Sequence, residues 1–205
     1  MNSGLYFICA ALVVLAIGLA RFERKTMTIH EIALTAFLIS LAGLGRVAFA
    51  FIPSAKPTTF IVMMSGLVFG PTIGFLVGAF GALLSNFFLG QGPWTIMQML
   101  AWGLCGISAG FLPRIFPYQG KWLLIVFGFC WGFLFAWIMN VWYWLSFVYP
   151  LTWKTWIAAN IASFWFDLTH AITNVLFISF FSQQFIKILK RFKDKMHYQI
   201  IKNTD

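Results

Sequence analysis

Charged side chains are scarce in this chain. Its 205 residues include five acidic side chains against 14 Lys and Arg, and only 9% of the residues are charged. About a quarter of the residues of a soluble domain are usually charged, so the composition excludes an ordinary soluble domain. The net charge of +9 does not indicate nucleic-acid binding, because the basic residues stand at the ends of apolar runs, as they do in membrane proteins.

Motifs for metals, redox chemistry and nucleotides are also missing from the sequence. Cys9, Cys105 and Cys130 each stand alone in an apolar run, at spacings that predict neither a metal site nor a redox pair. No GxxxxGK[ST] phosphate-binding loop is present. We therefore predict no catalytic residue, no metal site and no cofactor of its own, and any ATP that drives the protein must be bound by another subunit.

Long apolar runs make up most of the sequence. Hydrophobic residues make up 61% of the chain, and each membrane-spanning helix needs roughly 20 of them. We predict an all-α membrane protein whose residues 1–205 form a single integral membrane domain. It comprises a six-helix bundle over 28–190, an additional N-terminal span and a basic cytoplasmic tail over 187–205. The predicted helices lie at about 4–20, 28–51, 59–69, 72–88, 94–112, 122–148 and 153–186.

The distribution of basic residues predicts the orientation. Arg21, Arg24 and Lys25 follow the first apolar run, which is the reverse of a signal peptide, so residues 4–20 are interpreted as an anchoring span with its N-terminus outside. Alternation then puts eleven of the 14 basic residues inside, as the positive-inside rule requires. The tail, with six basic residues between 187 and 202, is predicted to be cytoplasmic and to attract anionic lipid.

Polar side chains gather in the otherwise apolar stretch from residue 56 to 113. Backbone and polar groups inside a bilayer must be buried in protein or line a cavity, so we interpret this stretch as part of a pocket open to the exterior. Arg46 is either a snorkelling interface residue or a pocket cation. Asn140 either bonds a neighbouring helix or points into the cavity. The polar candidates in the stretch are Thr58, Thr59, Ser85, Asn86, Gln91, Thr95 and Gln98, and Trp94 and Trp102 are interface anchors or pocket walls.

The last predicted span carries an acid in an apolar setting. Asp167, His170 and Asn174 fall at positions i, i+3 and i+7, on one face of a helix. One interpretation is a structural polar clamp between helices in which Asp167 orients His170. A proton relay or a metal ligand is the alternative, since ionisable groups inside a membrane often serve function.

Small residues form a narrow face on the span at 28–51. Ala36 and Ser40 belong to this face, and such faces allow helices to approach closely in lipid. The face serves packing within the bundle or docking to a partner membrane subunit. The span is predicted to start at Thr28, because Glu31 follows at the spacing of a capping box.

Four segments together resemble the S components, the substrate-binding subunits of energy-coupling factor (ECF) vitamin transporters. They are IALTAFLISL, PTTFIVMMSGLVFGPTIGF, SNFFLGQGPWTIMQMLAWGLCGISAG and FDLTHAITN. The second and third look most like the branch associated with cobalamin (vitamin B12). The resemblance implies a transmembrane coupling subunit and two cytosolic ATPases as partners, docking through Ala36 and Ser40, and delivery of the vitamin by toppling in the membrane.

A corrinoid fits the candidate residues chemically, since its apolar macrocycle is edged by amides. Trp94, Trp102 and Tyr143 would be walls, and loops at 53–59 and 89–93 would gate the mouth. The lack of dense fixed charge argues against a highly anionic ligand such as a nucleotide. Riboflavin, pantothenate or a queuosine precursor are alternative substrates. An intramembrane enzyme that uses Asp167 and His170 as acid and base is an alternative of another class.

Overall fold

The described residues form seven α-helices and no strand. The structure is a computed structural model that describes residues 3–23, 27–116, 118 and 120–202, without the side chains of residues 22 and 197–202. The predicted inner-face residues Arg24 and Lys25 lie outside this range, as do residues 203–205. The helices are α1 Ser3–Glu23, α2 Ile29–Ala48, α3 Thr58–Phe69, α4 Pro71–Leu89, α5 Trp94–Ile115, α6 Lys121–Phe147 and α7 Trp153–Lys202.

Six of these helices are long and apolar enough to cross a membrane, and α3 is a shorter apolar helix of 12 residues. The all-helical fold predicted from the sequence, a six-helix bundle with one additional N-terminal helix, is confirmed. α2 begins with the predicted capping box. The backbone N–H of Glu31 donates to Thr28 Oγ1 at 3.2 Å, and the backbone N–H of Thr28 donates to Glu31 Oε2 at 3.0 Å.

The short helix α3 lies at the centre of the bundle, in contact with α2, α4, α5, α6 and α7. Ten of its 12 residues are buried. It ends because Gly70 adopts a φ of +91°, which favours glycine, and Pro71 then starts α4 at a position where its missing N–H costs nothing. The Gly70-Pro71 stop therefore converts one apolar stretch into a buried central helix and a full span.

α4 and α5 pack closely against each other through glycine. A Cβ added to Gly106 would overlap the backbone of Gly74, and one added to Gly74 would overlap that of Gly106. Close backbone approach at small residues is the usual way in which helices associate in lipid. This contact fixes α5 against α4 and thereby positions the polar residues near the start of α5.

α1 packs on the outside of the bundle, against α4, α5 and α6. Ala11 packs with Met97 and Trp142, and Leu15 packs with Phe75. α1 leaves α2 uncovered, so Ala36 on α2 is exposed and Ser40 is half-buried.

α7 is a single helix of 50 residues, about 75 Å long, which exceeds the roughly 30 Å core of a bilayer. The predicted last span and basic tail are therefore continuous, because no Gly or Pro interrupts residues 153–202. Lys193, on the tail part of α7, donates from Nζ to the backbone O of Val68 at 2.8 Å. Lys193 thus supplies a hydrogen-bond donor at the carbonyl end of α3, where its positive charge also interacts favourably with the helix dipole.

Candidate binding site at one end of the bundle

The predicted polar residues lie mainly at one end of the bundle, where α2, α4 and α6 finish and α3, α5 and α7 begin. We call this the site end. Thr58 and Thr59 are at the start of α3, Asn86 is near the end of α4, and Thr95 and Gln98 are near the start of α5. All five are buried, which is uncommon for polar side chains without hydrogen-bond partners.

Asn86 is the centre of a hydrogen-bond network that we call the amide network. Its Oδ1 accepts from Arg46 Nη1 at 2.6 Å, and its Nδ2 donates to Thr95 Oγ1 at 2.9 Å and to Gln98 Oε1 at 2.8 Å. Arg46 Nη1 also donates to Ser85 Oγ at 2.7 Å. The network ties α2, α4 and α5 together at the level where the site begins.

Trp102 lies beside this network and is fully buried. Its indole N–H donates to Thr59 Oγ1 at 2.9 Å, and the same hydroxyl is 2.8 Å from His170 Nε2. The Phe135 ring lies against Trp102, with centroids 4.4 Å apart, and it meets His170 edge-on at 5.3 Å. Four helices, α3, α5, α6 and α7, thus supply one aromatic and polar wall.

Two cations approach the face of Trp102. The guanidinium carbon of Arg46 is 5.1 Å from the ring centroid, and Lys56 Nζ is 5.9 Å from it and 5.5 Å from that of Phe135. Both distances fall within the range of cation–π attraction. Burial, and secondarily the charge of Arg46, lowers the pKa of the loop residue Lys56 to about 8.

A second polar chain joins α6 to α7. Asn140 Nδ2 donates to Ser163 Oγ at 2.8 Å and to Asn160 Oδ1 at 3.1 Å, and the Ser163 hydroxyl donates to Asp167 Oδ2 at 2.9 Å. Of the two interpretations of Asn140, both apply, because it bonds α7 and also lines a cavity.

The expected pairing of Asp167 with His170 is wrong. In the described residues no hydrogen bond joins them, since His170 lies against Thr59 on α3 while Asp167 accepts from Ser163 on its own helix. Asn174, the third residue of this face, donates to the backbone O of Gly128 on α6 at 3.0 Å. Two of the three residues therefore connect α7 to other helices, and Asp167 turns to the cavity instead.

A cavity of about 150 Å³ opens between the loop that precedes α3 and the walls of α6 and α7. Small-molecule sites usually measure roughly 300–1,000 Å³, so this cavity is smaller than a typical site for a small molecule. A larger groove of about 630 Å³ lies on the surface between α6 and α7 and is lined by apolar side chains together with Asn160 and Asp167. The smaller cavity carries the polar chemistry, and its lining is Ser54, Lys56, Phe135, Ala136, Met139, Asn140, Phe166, Asp167 and His170.

Three predicted site residues lie away from this centre. Gln91 is exposed and accepts from Thr95 at the edge of the amide network. Trp94 is 39% exposed and Tyr143 is 49% exposed, the latter against Phe147. Thr58, although buried, donates to the backbone O of Ala42 and supports packing of α3 on α2.

Lys56 and Phe135 were not among the predicted site residues, whereas Arg46 was predicted to be either a snorkelling interface residue or a pocket cation and lies buried in the amide network. For Arg46 a signal exists, because Leu38, Ala42 and Arg46 recur at four-residue steps and all three are buried on one face of α2. Lys56 carries no such signal, since it lies in a loop.

One family model and several curated proteins match parts of this chain. A family model described as "ECF-type riboflavin transporter, S component" matches residues 25–191. A UPF0397 protein of Vibrio atlanticus is 34% identical over 97 residues, 46% of this chain and 51% of that protein. A UPF0397 protein of Aliivibrio fischeri strain MJ11 is 33% identical over 91 residues, 43% of this chain and 49% of that protein. The chain thus spans about half the length of the curated relatives it matches, and no solved structure matches it.

Proposed function

The chain belongs to the family of ECF-type riboflavin transporter S components, and from this premise we propose that it binds a vitamin around Trp102 and delivers it across the membrane. The observation that supports this most directly is the site end itself. Six helices and one loop bring amides, hydroxyls, two cations and aromatic rings to one buried centre. Polar groups inside a membrane protein are costly and typically mark a ligand path.

The proposed orientation puts the site end outside. Arg21, Arg114 and Lys121 all lie at the opposite end, where α1 and α5 finish and α6 starts, together with the basic part of α7. The positive-inside rule then makes that end cytoplasmic. The N-terminus is accordingly proposed to be outside and the C-terminus inside, in a multi-pass protein of the cell membrane.

A flavin is the ligand that the geometry supports best. The flat faces of Trp102 and Phe135 suit a planar ring system, and Gln98, one helical turn before Trp102 on α5, carries a carboxamide that we propose for hydrogen bonds to its edge. The description of the matching family names riboflavin as well. Cobalamin stays the second candidate because of the segments quoted above, although its macrocycle requires a wider opening than the present cavity.

The partners follow from the family. We propose a transmembrane coupling subunit, docked on the α2 face that contains Ala36 and Ser40, and two cytosolic ATPases that supply the energy. The family is a transporter component and not an enzyme, so Asp167 and His170 are assigned no acid–base reaction.

The proposal is tested by titrating the purified full chain in lipid nanodiscs with riboflavin and with cyanocobalamin, read by calorimetry. Riboflavin should bind one to one, and Trp102→Leu should lower its affinity at least about tenfold, which corresponds to 1.4 kcal/mol. Trp122→Leu is the matched control, because Trp122 is 79% exposed at the far end of α6. Binding of cobalamin alone would keep the S-component function and replace the vitamin. Folded protein that binds neither would contradict both candidates.

A further inference from the structure

Two cationic side chains, Arg46 and Lys56, lie beside Trp102 in the candidate site. Arg46 is buried and comes from α2, whereas Lys56 comes from the loop between α2 and α3. Both approach the same indole ring of Trp102, at 5.1 and 5.9 Å from its centroid. Two positive charges from separate elements therefore lie beside one ring, and Lys56 also lines the small cavity.

No carboxylate neutralises these cations directly. In the part of the chain that the structure describes, neither Arg46 nor Lys56 forms an ion pair, and Asp167, which also lines the cavity, accepts a hydrogen bond from Ser163. The hydrogen bonds of Arg46 go to the neutral groups of Ser85 and Asn86. Its Nε is buried without any partner.

Two largely buried cations without a carboxylate partner lower the stability of the ligand-free protein. Removing a cation from water is unfavourable unless it is paired, and a cation–π contact offsets only part of the cost. The lowered pKa of Lys56 reflects the same imbalance. An oxyanion placed between the two groups would remove the imbalance, because charge-assisted hydrogen bonds to Arg and Lys are among the strongest in proteins.

We propose that the site binds a ligand carrying one acidic oxyanion group, a carboxylate or a phosphate ester, and that Arg46 and Lys56 bind this group above Trp102. This rests on the proposed vitamin-binding function but changes the preferred ligand, because riboflavin itself carries no acidic group. A flavin phosphate or a vitamin with a carboxylate is then preferred over riboflavin. Lys56 is then a specificity-determining residue, and its loop moves when the ligand enters because the ammonium occupies the space above Trp102 in the free protein.

The experiment compares ligands that differ only in the acidic group. The full chain in nanodiscs is titrated with riboflavin and riboflavin 5′-phosphate, and with pantothenate and its alcohol analogue pantothenol. The acidic member of at least one pair should bind about tenfold or more tightly than its neutral partner. Lys56→Met should abolish this difference, whereas the exposed Lys154→Met should retain it.

The outcomes separate this proposal from the preceding one. If riboflavin binds as tightly as its phosphate, the anion site is overturned while the vitamin-binding function stands. If none of the four compounds binds, inorganic phosphate is compared with chloride at equal ionic strength by thermal unfolding. If phosphate stabilises the wild type but not Lys56→Met, the anion site is supported, although riboflavin is then excluded as the ligand. Equal stability in the two salts would overturn it.

Discussion

Thr59 joins three parts of the site through one hydroxyl group. It accepts from the indole N–H of Trp102 and lies within hydrogen-bond distance of His170. Thr59→Val keeps the shape of the side chain but leaves two buried polar groups without this partner, which costs about 1–3 kcal/mol. We expect the melting temperature in nanodiscs to fall by about 2–10 °C.

Thr58→Val is the matched control for that substitution. Thr58 is as buried as Thr59, but its hydroxyl donates only to the backbone O of Ala42, which lies inside α2. Its loss leaves no side chain without a partner, so a smaller effect is expected. An equal fall in the two variants would show that Thr59 contributes through packing and not through its link to Trp102 and His170.

Lys56 makes the stability of the protein depend on pH in the alkaline range. Its pKa is lowered to about 8 by burial and by Arg46, and it faces Asp167 and His170 across the cavity. Between pH 8 and the ordinary lysine value of about 10.4 the unfolded chain holds a proton that the folded chain has released, so stability rises with pH. The melting temperature should rise over this window by a few degrees more in the wild type than in Lys56→Met. A rise that is the same in both proteins would assign the titration to another group.

Single residues of the site were predictable to different degrees. Thr59, Asn86 and Gln98 were identified from polarity within an apolar stretch, and they lie at one end of the bundle. Trp102 was interpreted there as an interface anchor or a pocket wall and is fully buried. The role of each still depends on partners far away in sequence, as for His170, which lies against Thr59, 111 residues away, and not against the expected Asp167. Side-chain pairing across helices depends on helix rotation and tilt, and these are decided by the packing of the whole bundle.

At the scale of the helices, a substitution at Gly106 tests the close packing of α4 against α5. The methyl group of Gly106→Ala would overlap the backbone of Gly74, which cannot yield as a flexible side chain would. Forcing extra volume into a packed contact usually costs about 1–3 kcal/mol, so the melting temperature should fall by about 2–10 °C. Gly120→Ala is the control, because a Cβ at Gly120 meets nothing within 4 Å. Similar melting curves for both variants would contradict a close α4–α5 contact.

The helices themselves were largely predictable because their ends are marked chemically. Thr28 with Glu31 marks the start of α2, and Gly70-Pro71 separates α3 from α4. The continuity of α7 was missed, since the change from apolar to basic composition near residue 187 changes the surroundings of a helix without breaking it. The shortness of α3 was predicted at 59–69, because Gly70-Pro71 stops the helix before a full crossing.

At the scale of the whole molecule, the first two helices differ in how much of their surface packs against the bundle. α1 covers α4, α5 and α6, whereas the face of α2 with Ala36 and Ser40 stays uncovered. The candidate site lies at the end of the same helix, where Arg46 joins the amide network. α2 therefore carries Arg46 at one end and an exposed face of small residues along its length. The proposed roles in ligand binding and in docking to the coupling subunit thus involve the same helix.

The open face of α2 should serve assembly and not ligand binding. Ala36→Leu combined with Ser40→Leu adds bulk where a partner helix would approach closely, so co-purification with the coupling subunit and vitamin uptake by cells should both be lost. Ligand affinity of the isolated chain should stay within about twofold, a free-energy change of only about 0.4 kcal/mol, because these side chains point away from the amide network. Ala10→Leu, on the exposed side of α1, adds the same bulk elsewhere and should leave uptake intact. If uptake survives the double substitution but fails in Ala10→Leu, the coupling subunit docks on α1, and the N-terminal helix is the assembly element of this protein.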